Sequence, residues 1–293
     1  MDPQRVDVLK RISEAAGDLS EGQRLVAEYL ITNSERAVFL TAARLGQEVG
    51  VSESTVVRCA MALGYSGYPE MHRDLQEMVK SRLTTVDRLK AASDQAGSGE
   101  HVIERVMRAD IEYIETTLRE VSREDFKRAV EAISEARRIL VIGLRSASAM
   151  AFFLGYSLNW ILRNVTMISH GAGDMFEQVM CAAEGDVAIG ITFPRYTRQA
   201  VELVGLAKKR GATTIGITDN VMSPLAGVSE ILLTAKSGMP SYIDSFVGPL
   251  SLINALITAV GAEDETRTAA ALGELEPVWD EYQIYFTDRT RRA

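Results

Sequence analysis

The chain has 293 residues, 46 % of them hydrophobic, and a formal net charge of −8, which suits a soluble protein of two globular domains and argues against strong non-specific affinity for DNA without forbidding a local basic face. Residues 1–90 carry 12 Lys/Arg against 13 Asp/Glu and the remainder 20 against 27, so most of the excess acid lies outside the first third. The two cysteines, Cys59 and Cys181, stand at no metal-ligand spacing, which excludes a zinc or disulfide framework and fits a reducing compartment.

The N-terminus, with Asp2, Arg5 and Asp7, lacks the apolar core of a secretion signal. From Val6 to about Ala91 apolar residues recur at helical spacing, predicting an all-α domain over 1–91. Ser20-Glu-Gly-Gln23 has the form of a capping box and opens a helix, and Thr41 caps another. The stretch from Leu45 to Arg58 reads as a helix, a tight turn at Gly50, and a second helix opened by Ser52. Leu45, Val49, Val51, Val56 and Leu63 then face inward. Ser54, Thr55 and Arg58 face outward, early enough in the second helix to reach a major groove together with Ser52. Two helices meeting at a glycine turn are also common in domains that bind no DNA. Gly46 weakens its helix by about 1 kcal/mol but permits close approach of a neighbour. Cys59 reads as a small core residue.

Ser, Asp, Gln and Gly over 92–100 mark a linker, and a long helix from His101 completes a connecting segment over 92–121. Ser122-Arg-Glu-Asp125 caps a further helix. Over 122–293 the period changes. Apolar runs at Arg138–Ile142, Val165–Ser169, Val187–Thr192, Thr213–Thr218 and Glu230–Ala235 alternate with helical segments at about 146–163, 174–183, 197–210 and 245–261, predicting a five-stranded parallel sheet with helices on both faces. The apolar stretch from Phe246 to Val260 is broken by Gly248, Pro249, Ser251 and Asn254 and falls short of the roughly 20 residues that span a bilayer, so it reads as a buried helix. Met150, Met175 and Met180 read as core.

In the flavodoxin-like order 2-1-3-4-5, ligands bind where neighbouring connections leave for opposite faces, between the first and third strands. The loops after those two strands are Gly143-Leu-Arg-Ser-Ala-Ser148 and Thr192-Phe-Pro-Arg-Tyr-Thr197. Ser146 and Ser148 stand at a helix start, whose N–H groups and dipole favour an anion, and Arg145 adds a charged fork suited to phosphate or carboxylate. Arg195, Thr192 and Thr197 close the other side. Two arginines in the two loops that the topology joins point to an anionic ligand; each alone could equally pair with an acidic neighbour. His170-Gly-Ala-Gly-Asp174 could contribute from the flank, whereas Thr218-Asp219-Asn220 is explained by turn formation.

Together these segments resemble the RpiR/MurR family of bacterial transcriptional regulators, which join a helix-turn-helix domain to a C-terminal SIS (sugar isomerase) domain. Leu19-Ser-Glu-Gly-Gln-Arg-Leu-Val-Ala-Glu-Tyr-Leu30, Val49-Gly-Val-Ser-Glu-Ser-Thr-Val-Val-Arg58 and Leu63-Gly-Tyr-Ser-Gly-Tyr-Pro69 look like the reader. Ile142-Gly-Leu-Arg-Ser146, Gly185-Asp-Val-Ala-Ile-Gly-Ile191 and Arg210-Gly-Ala-Thr-Thr-Ile-Gly-Ile-Thr-Asp219 look like the SIS core. With no secretion signal and no bilayer-spanning stretch, the expectation is a cytoplasmic protein without membrane partner or cofactor. The resemblance implies that it binds operator DNA as a dimer or higher oligomer, a homodimer or homotetramer, and responds to a phosphosugar or related metabolite. One departure matters. SIS loops that hold phosphate commonly read Ser-x-Ser-Gly-x-Thr; here Pro194 and Arg195 replace the Ser-Gly pair, removing a backbone donor and supplying charge. A sugar acid or other organic acid is therefore as credible an effector as a phosphosugar. Two alternatives stand beside this reading: a phosphosugar isomerase, with Glu177 or His170 as base, and a DNA-binding protein whose SIS domain only oligomerises.

Overall fold

The computed structural model describes residues 8–15, 17, 19–38, 40–80, 86, 89, 102–168, 173–238 and 243–286. The linker expected over 92–100, and His170, lie outside the described residues. The chain divides into two compact units, Met1–Ala96 and Gly97–Ala293.

In the first unit the helices are α1 (Val8–Ala15), α2 (Glu21–Thr32), α3 (Ser34–Ala37), α4 (Ala42–Val49), α5 (Glu53–Ala62) and α6 (Tyr68–Lys80). Their boundaries follow from local chemistry. The Ser20 N–H donates to Gln23 Oε1 at 2.9 Å to open α2, and Thr41 Oγ1 accepts from the Arg44 N–H at 3.3 Å to open α4. Gly50 ends α4 at φ 78°, a left-handed conformation that costs glycine nothing. Gly46 is needed for a different reason: a Cβ there would lie 2.8 Å from the Val51 carbonyl oxygen, so α4 approaches the turn as closely as it does only without a side chain. Val26, Leu30, Leu45, Val56, Cys59 and Leu75 are buried between these helices. Val49 and Val51, expected inside, are only half-buried. Burial pushes the Cys59 thiol up to about 11, which keeps it a protonated core residue.

The second unit begins with α7 (Val102–Glu120) and α8 (Arg123–Glu135), the latter capped by Ser122 Oγ accepting from the Asp125 N–H at 3.1 Å. Then β1 (Arg138–Gly143), α9 (Ser148–Leu162), β2 (Val165–Ile168), α10 (Met175–Met180), β3 (Asp186–Ile191), α11 (Arg198–Lys209), β4 (Thr213–Thr218), β5 (Ile231–Thr234), α12 (Val247–Glu263) and α13 (Glu265–Glu281) complete the fold. The five strands form one parallel sheet in the order β2-β1-β3-β4-β5.

Side-chain alternation distributes the core over both faces. On β1, Ile139 and Val141 join Ile133 of α8, Leu154 of α9 and Leu256 of α12. Leu140 and Ile142 join Val179 of α10 and Leu203 of α11 on the opposite face. The amino-terminal end of the central strand β3 is held by an ionic cluster: the buried Asp186 carboxylate accepts from Arg137 and Arg138 at 3.0 and 3.1 Å and from the Ala183 N–H at 3.1 Å. Met150 is core as expected, but Met180 is exposed because α10 is short and ends there.

Gly46→Val is expected to destabilise the first unit by about 1–3 kcal/mol through overpacking against the α4–α5 turn. Thermal denaturation followed by circular dichroism measures this, and an unchanged melting temperature would show that the turn relaxes freely.

Candidate functional site

The order of the sheet brings the loops after β1 and β3 side by side at the carboxyl ends of their strands. A cavity of about 330 Å³ opens there, and Arg145, Ser146, Thr192, Arg195 and Thr197 all line it. The last of the expected effector residues, Ser148, is not among the lining residues. Its hydroxyl donates to the Arg145 carbonyl at 2.6 Å, locking the short 3₁₀ turn (Arg145–Ala147) that leads into α9. Thr192 is likewise partly structural: its Oγ1 accepts from the Thr197 N–H at 3.1 Å and folds the second loop back onto its own strand end.

Both cavity arginines adopt left-handed backbone conformations, Arg145 at φ 57° and Arg195 at φ 64°. An L-residue pays roughly 1–2 kcal/mol for that geometry, and glycine is the usual occupant. Arg195 aligns with the glycine of the commoner Ser-x-Ser-Gly-x-Thr loop and places a charged fork at a left-handed position that glycine would occupy without strain. Both side chains are exposed at the cavity. The N-termini of α9 and α11 open towards the same place, and Arg198, in the first turn of α11, also lines it while pairing with Glu202 at 2.6 Å. Cationic groups and helix dipoles therefore share one concavity.

Besides Arg198, sequence reasoning missed four contributors. Tyr196 lies between the two expected residues of its loop, and its hydroxyl donates to Asp219 Oδ1 at 2.8 Å. Asp219 directly follows β4, and it also accepts from Asn220 Nδ2 at 2.7 Å and Thr218 Oγ1 at 3.2 Å. Burial pushes its carboxyl above the ordinary carboxylate value, while those hydrogen bonds pull it down. The turn reading of Thr218-Asp219-Asn220 is thus incomplete, because the carboxylate also anchors the cavity loop. Asp244 and Phe246, from the connection between β5 and α12, close the cavity's far side. No period or motif in the sequence pairs them with residues 145 and 195. Glu177 sits on α10 and is not among the lining residues.

The connection that carries Asp244 and Phe246 is also where α7 docks. Ser245, between them, donates its hydroxyl to Asp110, and the Lys236 N–H donates to Thr117 Oγ1 at 2.9 Å. Gly238 and Gly248 admit the helix: a Cβ on Gly238 would overlap the Tyr113 ring, and one on Gly248 would lie 2.9 Å from Thr117 Oγ1.

In the first unit, Ser52 Oγ accepts from the Thr55 N–H at 3.2 Å and opens α5, leaving Ser54 and Arg58 exposed one turn apart. The Arg58 Nε–H donates to the Ser54 carbonyl at 3.2 Å, and Gln23 Nε2 donates to the Arg58 carbonyl at 3.2 Å, which fixes α5 against the start of α2. Thr55 is less outward than expected. It is half-buried, with its methyl facing Gly22 of α2, where an added Cβ would lie only 3.1 Å away. Among the described residues no cluster of three His, Cys, Asp or Glu could hold a metal ion, and no helix is long and apolar enough to cross a membrane.

Fold and site together define a helix-turn-helix protein with a SIS ligand-binding domain. The SIS domain model matches residues 132–259, and the model of the helix-turn-helix domain of the rpiR family matches residues 6–82. The chain belongs to the rpiR family of helix-turn-helix transcriptional regulators. It is 28 % identical over 260 residues to the HTH-type transcriptional regulator HexR of Pseudomonas aeruginosa, covering 87 % of this chain and 89 % of that one. The sugar isomerase domain of an RpiR transcription factor from Sphaerobacter thermophilus superposes with a TM-score of 0.59 at 29 % identity, covering 61 % of this chain and 99 % of that one. The Vibrio vulnificus NanR protein, solved in complex with ManNAc-6P, shares the fold over 94 % of this chain and 98 % of its own, with a TM-score of 0.58 at 22 % identity.

Tyr196→Phe removes a donor from a half-buried carboxylate and is expected to cost about 1–3 kcal/mol at neutral pH. The folded state holds the Asp219 proton more tightly than the unfolded chain, so this group's contribution is fully present below its ordinary value of 3.8 and is lost as pH rises through the folded-state value. Tyr196→Phe moves that loss to higher pH. Denaturant unfolding at about pH 4 and pH 7 checks this: the deficit of the variant should be larger at pH 7, and an equal deficit at both would disconnect Tyr196 from the charge of Asp219.

Proposed function

We propose that this regulator senses a sugar-derived anion, a phosphosugar or a sugar acid, in the cavity between the β1 and β3 loops, and that capture alters its affinity for operator DNA. The observation that carries the reading is the convergence of Arg145 and Arg195 on one cavity beside the N-termini of α9 and α11. Ser146, Thr192 and Thr197 supply hydroxyls at the same surface, and Asp244 offers an acceptor for sugar hydroxyls opposite the cations. Phe246 brings an apolar ring against which a sugar's C–H face can lie. The bound ManNAc-6P in NanR supports a phosphosugar for a protein of this fold. Pro194 and Arg195 favour guanidinium recognition of a planar carboxylate as well, since a bidentate fork serves either anion.

Sensing rather than turnover is the reading, because isomerisation needs a placed base beside a carbonyl, and the carboxylate that lines this cavity, Asp244, faces a cationic wall suited to holding an anion. The reader surface is Ser54 and Arg58 on α5, with Ser52 setting the helix start and Thr55 holding α5 to α2. The protein acts in the cytoplasm as a homodimer or homotetramer, since paired readers match paired half-sites.

A thermal-shift screen against sugar phosphates, sugar acids and simple carboxylates tests the effector class. A ligand at about 100 times its Kd adds roughly 2.7 kcal/mol of apparent stability. For the ligand found, calorimetry on Arg145→Ala and on Arg195→Ala should show affinity reduced at least about tenfold, equivalent to ~1.4 kcal/mol. Wild-type affinity in both variants would overturn the account of the cavity. At the other end of the chain, Arg58→Ala should weaken operator binding by about 1–3 kcal/mol if it reads a base, or lower the salt dependence by about one charge if it holds a phosphate. Its thermal stability should stay within about 0.5 kcal/mol of wild type. A gel-shift titration with unaltered operator affinity would remove Arg58 from the interface.

A further inference from the structure

Helix α7 meets the rest of its unit through Asp110, Tyr113 and Thr117. About a quarter-turn away it presents Ile103, Met107, Ile111, Ile114 and Leu118, each between 36 and 72 % exposed. Their spacing of four, four, three and four residues puts all five within an arc of roughly 80° and along about 22 Å of helix. Such a sustained apolar stripe is a seam for another helix. Beside it, on the side away from the docking face, run Glu104, Arg108, Glu115 and Arg119, alternating in sign along the helix.

We propose that this stripe is where a second copy of the chain packs, α7 against α7 in antiparallel orientation across a two-fold axis midway between Ile111 and Ile114. In that register Ile111 faces Ile114 of the second copy and Met107 faces Leu118. The same register sets Glu104 opposite Arg119 and Arg108 opposite Glu115, and the two-fold axis repeats both pairs. A parallel pair, related by an axis along the helices, would instead put the two charged rows on opposite flanks of the seam, where neither meets the other, so the charge pattern selects the antiparallel arrangement. Arg108 pairs with Glu104 of its own helix at 2.6 Å, but both are well exposed, and such a pair exchanges partners at little cost. The exposed apolar residues of α9 (Phe152, Phe153 and Tyr156) and of α12 (Leu250) have no comparable row of charges beside them on their helices. Because α7 is the first described helix after residues 90–101, this contact joins two chains at the point in sequence nearest their readers. It does not depend on the identity of the effector.

The test uses the full chain with the exposed thiol removed by Cys181→Ser, the buried Cys59 being left in place. Met107→Cys and Leu118→Cys variants are expressed separately and together, oxidised mildly, and run on non-reducing gels. Co-expression should give the mixed disulfide dimer, with little cross-linking of either variant alone. Homodimers of each variant without the mixed species would mean parallel helices. No cross-link at all, as when the reader of the same chain covers the stripe, would overturn the proposal outright. Independently, Arg108→Glu should weaken self-association about tenfold in sedimentation at low ionic strength, and Arg108→Glu with Glu115→Arg should restore it. These exposed substitutions leave the fold intact, so unchanged self-association in Arg108→Glu would also contradict the pairing.

Discussion

Everything in the second unit turns on a backbone geometry: two arginines held in the left-handed region at the carboxyl ends of adjacent parallel strands, with φ 57° at Arg145 and φ 64° at Arg195. A chain does not keep a strain of roughly 1–2 kcal/mol per residue by accident when glycine would relieve it. The surroundings enforce it. Ser148 ties down the Arg145 carbonyl, Thr192 ties down the Thr197 amide, and Tyr196 is anchored to Asp219 on the neighbouring strand end. The sheet supplies the rigid base, since β1 and β3 run in register with both faces covered. The result is a concavity with fixed positive charge, and little reorganisation is left for the moment an anion arrives.

The sheet was the most legible part of the molecule. Five Val/Ile-rich runs separated by helical spacing point to a parallel sheet, and the observed order is the flavodoxin-like one expected of it. Local signals also served well in the reader: Gly50 takes the left-handed turn, Ser52 caps α5, and the small Gly46 admits the turn. The limits of the sequence have physical causes. Tyr196 and Asp219 meet across 23 positions, and Asp244 and Phe246 reach the cavity from a connection with no period of its own, so no local pattern could pair them with residues 145 and 195. Helix α13 went unforeseen because it buries little beyond Ala271 and shows weak amphipathicity. Thr55 looked outward on a helical wheel, yet the neighbour that half-covers it is Gly22, brought there by tertiary packing.

One segment links recognition to the rest of the molecule. Asp244 and Phe246 face the cavity, while Ser245 between them holds Asp110 of α7. A ligand that draws Asp244 or Phe246 inward therefore pulls on a hydrogen bond to the helix that follows the reader in sequence. Glycines at 238 and 248 let that helix lie close against the same segment. This connects the cavity physically as far as α7, the helix that follows the reader in sequence, and any coupling between effector and operator is reciprocal by thermodynamic necessity.

The most direct measurement is therefore the effector's affinity with and without saturating operator DNA. The account predicts a change of about fivefold or more, equal in size and sense to the change the effector makes in operator affinity. An effector that binds the cavity with the same affinity whether or not the operator is bound would contradict it.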